Sequence, residues 1–213
     1  VLNANNLIDR PIHIISANMH SVMNSIFATP VLGAKYKGKS EYDIYEDLSA
    51  SGSKDLRSKV ETFALQHGMI SLPDQSGTNI DVQIFDTAKI DWAKSSFPKA
   101  SIKGEKPVII VMDYAFGEQA YETIDELLKP FKNKKNNLFL NVESVSIMGK
   151  AGILQGGKGD IMIPNAHINE GTADNYPFEN ELTAKMFEGN GIPVFAGPMV
   201  TVLGTSLQNK DLL

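Results

Sequence analysis

The chain has 213 residues, 42% of them hydrophobic and 21% charged, a formal net charge of −5 and no cysteine. This is the make-up of a soluble globular protein of one domain, or one domain with an extension, able to bury roughly 70% of its unfolded surface without a staple. It excludes disulfides, thiolate metal sites and a cysteine nucleophile, and its mild acidity argues against broad nucleic-acid or membrane-surface binding, which needs a basic face.

The missing cysteines fit a reducing compartment. No apolar run approaches the ~20 residues of a membrane helix. The first residues also lack the charged-then-apolar pattern of a signal peptide, so the expected location is the cytoplasm.

Pro11 to Ser16 (PIHIIS) reads as a short apolar strand. A helix is expected after it, with Met19, Val22, Met23, Ile26 and Phe27 at helical spacing and Asn18 as its cap. Lys35 to Gly52 is polar and reads as a loop with room for a short helix. Ser53 to His67 is an amphipathic helix with Leu56, Val60, Phe63 and Ala64 on one face, ended by Gly68. His67 would then stand at a helix end, where the dipole favours it.

Asp74 to Thr78 is a turn, Ile80 to Phe85 an alternating strand, and Ile90 to Lys106 a loop with Trp92 over the core. Pro107 to Met112 (PVIIVM) is apolar throughout, as in a sheet covered on both faces. Gly117 to Leu128 reads as a helix with Ala120, Ile124, Leu127 and Leu128 inward. Leu138 to Met148 holds one strand or two. Ile161 to Ile163, Val194 to Phe195 and Met199 to Leu203 are further strands, with a helix near Glu181 to Phe187. Strands alternating with helices predict an α/β fold with a mixed, largely parallel central sheet flanked by helices. Residues 1–52 form an extension or the start of that sheet, and 53–213 form its main domain.

Ligands of such sheets bind beyond the carboxyl ends of the strands. Phe116 and Gly117 stand at one such end, where a helix N-terminus offers free N–H groups to an anion. A tight turn that uses Gly117 for close packing explains them equally well. Gly149-Lys150-Ala151-Gly152 stands at a second end. Its glycines let a ligand approach the backbone, and its lysine supplies a point charge for phosphate or carboxylate. The plain alternative is a solvated lysine on a turn. The third stretch, Glu170 to Phe178, gathers Glu170, Thr172, Asn175, Tyr176 and Phe178. Carboxylate and amide suit sugar hydroxyls, and aromatic faces suit a flat base. A polar loop pinned by its aromatics is the alternative. Asp160 after Gly159 is expected to fix a turn, and His13, His20, His67 and His167 show no metal spacing.

Three phrases in order, GKAGIL, KGDIMIP and NEGTADNYPFENE, follow the apolar strand and helix PVIIVMDYAFGEQAYETIDELL. Together with VETFALQHGM they resemble the purine nucleoside phosphorylase superfamily and, within it, the AMP nucleosidases. The resemblance covers roughly Leu56 to Phe187 with gaps. It implies a nucleoside phosphorylase-like fold and hydrolysis of the N-glycosidic bond of a purine nucleotide, AMP and water giving adenine and ribose 5-phosphate. Purine nucleoside phosphorolysis, with phosphate as a partner, is the close variant; a non-catalytic nucleotide-binding or assembly protein is the other alternative. By the same resemblance Gly149, Lys150, Ala151 and Gly152 line the sugar-phosphate side, and Glu170, the catalytic candidate, lies with Thr172 near the ribose or phosphate. Asn175 completes the polar wall, and Tyr176 and Phe178 flank the base. The resemblance implies no cofactor and no metal, and a homo-oligomer. The family's later methionine-glutamate motif and its purine-protonating aspartate do not occur before Leu213, and GTSLQNKD (Gly204 to Asp211) replaces its arginine-rich turn. The fold is therefore expected to be cut short at its C-terminal end.

Overall fold

The computed structural model describes residues 1–100, 102–115, 117–132, 137–172 and 174–201. The chain falls into two compact units, Val1–Gly149 and Lys150–Leu213. Among the described residues it is an α/β protein with four α-helices and mixed sheets.

In the first unit β1 (Ile12–Ser16) leads into α1 (Met19–Leu32), α2 (Glu41–Ser49) and α3 (Lys54–Gln66). Next come β2 (Met69–Leu72), β3 (Val82–Asp86), β4 (Val108–Met112) and α4 (Glu118–Leu128). A two-residue ribbon, β5 (Phe131–Lys132) with β6 (Asn137–Leu138), precedes β7 (Val142–Ile147). The five-stranded sheet has the order β2-β3-β4-β1-β7. Strands β4, β1 and β7 are parallel, while β3 runs antiparallel to both β2 and β4. The sheet is thus mixed rather than largely parallel on its β2 side: the β2–β3 connection is shorter than the roughly dozen residues a parallel crossover needs, and the longer β3–β4 connection also returns the chain antiparallel.

Alternation along β1 and β4 sends side chains to both faces, and both faces are covered. Ile15, Ile109 and Val111 pack under α1, α2 and α3, against Met23, Phe27, Ile44, Leu48, Val60 and Ala64. Ile12, Ile14, Val108 and Ile110 face the other way, against Leu7 and the Ala120, Ile124 and Leu127 side of α4. Leu128, expected inward, is 52% exposed, since it ends the helix beyond the sheet contact.

Local chemistry sets the helix limits. The Asn18 side chain accepts from His20 N–H at 3.0 Å and caps α1. Pro30 cannot donate back to the Ile26 carbonyl, and Ser96 N–H takes that acceptor at 2.8 Å. Helix α2 carries a reciprocal Ser40–Asp43 capping box. At the end of α3, His67 stacks on Phe63 at 3.8 Å and its Nδ1 bonds the Phe63 carbonyl at 2.7 Å. Gly68 follows at φ 97°, where a Cβ would press on the Asp86 carbonyl oxygen.

Beside it lies an ion pair. Arg10 Nη1 meets Asp86 Oδ1 at 2.7 Å, with side chains 16% and 5% exposed. Arg10 also donates to the Lys106 and Pro107 carbonyls at 2.7 and 3.0 Å. Burial alone would raise the Asp86 carboxyl. Hydrogen bonds from Arg10 and the Ala88 N–H, with the charges of Arg10 and Lys89, outweigh it and hold the group below the ordinary carboxylate range.

In the second unit β8 (Ile161–Asn169) pairs parallel with β10 (Val194–Thr201) and antiparallel with β9 (Asp174–Pro177). The strand expected at Ile161–Ile163 is longer and lies in this separate three-stranded sheet, not in the sheet that holds β4. Val194–Phe195 and Met199 onward form one continuous strand, with a register shift at Gly197/Pro198; Leu203 lies outside the described residues. The helix expected near Glu181–Phe187 is a single 3-10 turn, Ala184–Phe187, since so short a stretch does not offset the cost of helix nucleation. Asp160 does fix a turn, accepting from Gly157 N–H at 2.7 Å.

Replacing Asp86 by Asn should cost about 3 kcal/mol in urea unfolding, because it leaves the Arg10 charge half-buried without its counter-ion. A folded-state pKa held low gives stability that is full above the ordinary carboxylate range and is lost as pH falls through the lowered value. The wild-type melting temperature should therefore fall below about pH 4, and fall less steeply in Asp86→Asn. Equal pH slopes for the two proteins would remove this role from Asp86.

Candidate functional site

Strands β1 and β4 are adjacent and parallel, with Ser16 opposite Met112 at their carboxyl ends. The helices that follow them diverge. Helix α1 crosses to the Ile15/Val111 face and α4 to the Ile14/Ile110 face. Adjacent parallel strands whose connections leave on opposite faces open a crevice between their ends, and open α/β sheets bind ligands there.

The rim of this crevice is held by the backbone. Ala17 N–H donates to the Met112 carbonyl at 3.1 Å, and Met148 N–H donates to the Ser16 carbonyl at 2.9 Å. Asp113 N–H donates to the Asp81 carbonyl at 3.0 Å, while Asp113 Oδ1 accepts from Tyr114 N–H at 2.8 Å. The start of α4 is tied down as well, by Gln119 Nε2 donating to the Thr78 carbonyl at 2.5 Å. Thr78 belongs to a turn built on Asp74. That carboxylate accepts from the Ser76 hydroxyl and N–H and from Asn79 N–H, which brings its pKa down to about 2.

Gly117 caps α4 with no side-chain bond, at φ 62° and ψ −139°, a conformation open essentially to glycine. Its neighbour Phe116 lies outside the described residues. Gly149 follows β7, and any Cβ there would overlap the ring of Tyr114. Tyr114 comes from the end of β4, and β1 lies between β4 and β7. The Tyr114 ring therefore reaches across the end of β1. On the α1 face an apolar cleft of roughly 280 Å³ opens beside Val22, Ile26, Trp92, Phe97 and Met148.

Lys150, Ala151 and Gly152 open the second unit and are exposed. In that unit Glu170, Thr172, Asn175, Tyr176 and Phe178 share one hairpin rather than a loop. Glu170 N–H donates to the Thr201 carbonyl at 3.1 Å and Thr172 N–H to the Asn169 carbonyl at 3.3 Å, which shapes the turn. Tyr176 stands opposite His167 and Asn175 opposite Ile168, so alternation puts Asn175 and Tyr176 on opposite faces. Phe178 N–H closes the hairpin on the Asn165 carbonyl at 3.1 Å. His167 shares the Tyr176 row, and its Nε2 lies 2.6 Å from Thr201 Oγ1.

Among the described residues no group of three or more His, Cys, Asp or Glu side chains is placed to hold a metal, and no helix is long and apolar enough to cross a membrane. Residues 42–213 match a family described as Family of unknown function (DUF6909). The chain belongs to DUF6909. No curated protein and no solved structure matches it. The DUF6909 match takes in β4, β7 and the hairpin, while β1, which completes the crevice, precedes it.

Gly117→Ala should destabilise this DUF6909 chain by roughly 1–3 kcal/mol, since alanine is strained at a glycine-only φ/ψ. Chemical denaturation measures it, and an unchanged midpoint would mean that α4 can start with another backbone shape.

Proposed function

We propose that the protein binds a purine nucleotide and hydrolyses its N-glycosidic bond, as AMP nucleosidases do, on a nucleoside phosphorylase-like arrangement of strands. One observation carries this reading. Gly149, first residue of the GKAG stretch that resembles the sugar-phosphate turn of that superfamily, stands at the carboxyl edge beside the β1/β4 crevice. A sheet of this kind takes its ligand at that edge.

In the reaction the bond from ribose C1′ to the purine nitrogen breaks, and its electron pair leaves with the base. Water then adds to the oxocarbenium-like ribosyl cation, and the proton it loses balances the one the departing purine nitrogen takes up, giving adenine and ribose 5-phosphate. The roles of the side chains rest on the resemblance. Lys150 pairs with the phosphate, and Glu170 stabilises the cation or holds its hydroxyls. Thr172 and Asn175 bond the sugar, and Tyr176 and Phe178 flank the base.

Purified protein incubated with AMP in water should release adenine and ribose 5-phosphate, followed by chromatography. Lys150→Ala and Glu170→Ala should abolish turnover while leaving the circular dichroism spectrum intact. Release from a nucleoside that requires added phosphate and yields ribose 1-phosphate identifies a phosphorylase instead. Nucleotide-induced thermal stabilisation with no turnover identifies a binding protein and sinks the catalytic reading.

A further inference from the structure

Tyr114 is the aromatic side chain that the carboxyl edge holds across its own crevice. Its backbone is fixed on both sides. Asp113 is tied to Asp81 and to the Tyr114 N–H, and Ala115 is buried at 5% exposure in the cluster under α4. Its ring lies against Gly149, whose missing side chain makes the room. Yet the ring is not core, for Tyr114 remains 37% exposed. The atoms that a Cβ at Gly149 would meet are Tyr114 Cε2, Cζ and the hydroxyl oxygen, so the hydroxyl end of the ring is what the glycine seats. The ring starts at β4 and ends past β7, so it spans the end of β1, where the crevice opens.

We propose that Tyr114 is the specificity-determining residue of this edge: its ring stacks on the planar base of the nucleotide, and Gly149 is a glycine in order to seat that ring. This rests on the reading of the edge as a purine-nucleotide site. It assigns base stacking to a residue on the β4–α4 connection. Stacking is indifferent to sugar and phosphate, so the ring discriminates ligands that carry a base from those that do not.

Calorimetric titration of the intact protein with AMP, adenine and ribose 5-phosphate tests it. Tyr114→Ala should weaken AMP and adenine by roughly 5- to 150-fold, the range for loss of one base–aromatic stack, and leave ribose 5-phosphate unchanged. Tyr114→Phe, which keeps the ring, should bind AMP within about twofold of wild type, since stacking needs the ring face and not the hydroxyl. Gly149→Ala should weaken AMP and adenine like Tyr114→Ala, because the new methyl displaces the ring. Thermal melts of each variant, compared with Tyr114→Phe, separate loss of fold from loss of stacking. Unchanged AMP affinity in Tyr114→Ala overturns the proposal, as does an equal loss of AMP and ribose 5-phosphate. If the wild-type protein binds neither AMP nor adenine, the nucleotide reading itself falls and this one with it. If wild type binds both and the variants match it, only the role of Tyr114 falls.

Discussion

The contact between Arg10 and Asp86 ties together the three central segments of the first unit. Arg10 precedes β1, Asp86 ends β3, and the Lys106 and Pro107 carbonyls that Arg10 also holds precede β4. One guanidinium thus divides its donors between the start of β4, which lies beside the strand it introduces, and the end of β3, one strand further on. Planar and permanently charged, it can bond a carboxylate and two carbonyls at once, which a lysine could not do with the same geometry. Breaking such a half-buried pair costs more than forming it contributes, so its value lies in the register it enforces.

That register carries to the far end of the sheet. Once Ile12 lies beside Val108, Ser16 lies beside Met112. The two strands then finish level, and their helices leave from level points onto opposite faces. The crevice is therefore a consequence of register plus the sidedness of two helices. Val22 and Ile26 of α1 flank it on one face and the Gly117 end of α4 on the other. Tyr114 and Gly149 complete it only because β1 separates β4 from β7, so that a side chain from one must pass over β1 to meet the other.

Much of this frame was legible in the sequence, and the reasons are specific. β1 and β4 read as strands because burial on both faces demands unbroken apolar runs. Helix α3 and its Gly68 stop read correctly because one buried face leaves a 3.6-residue stripe. β2 escaped notice: Met69–Leu72 is four residues long, with one buried position, too short for a period to show. β8 was read at a third of its length because Pro164, Asn165 and His167 break the apolar run in a strand that is mostly half-exposed. For the site, the close packing expected at Gly117 is not found, since nothing lies within 4 Å of where its Cβ would be and its φ of 62° is what calls for glycine, while the space expected to admit a ligand at Gly149 is taken by the Tyr114 ring. What each glycine accommodates could not be read. The ring against Gly149 comes from a distant segment, and strand order alone brings the two together.

The two units differ in how firmly they can hold what they carry. The first buries two large apolar clusters, so side chains at its carboxyl edge stand on elements whose positions are over-determined. Among the described residues of the second, Ile163 is the one buried hydrophobic side chain. Three strands with so little apolar burial offset little of the entropy of ordering them, and strand pairing, longer between β8 and β10 than between β8 and β9, does most of the remaining work. Polar side chains such as Glu170 and Thr172 therefore sit on the less stable part of the chain, the part from which ligand-binding segments are usually drawn. The Tyr114 ring therefore stands on an edge that two apolar clusters hold in place, while the Glu170 turn stands on a small sheet that its own strand pairing has to hold.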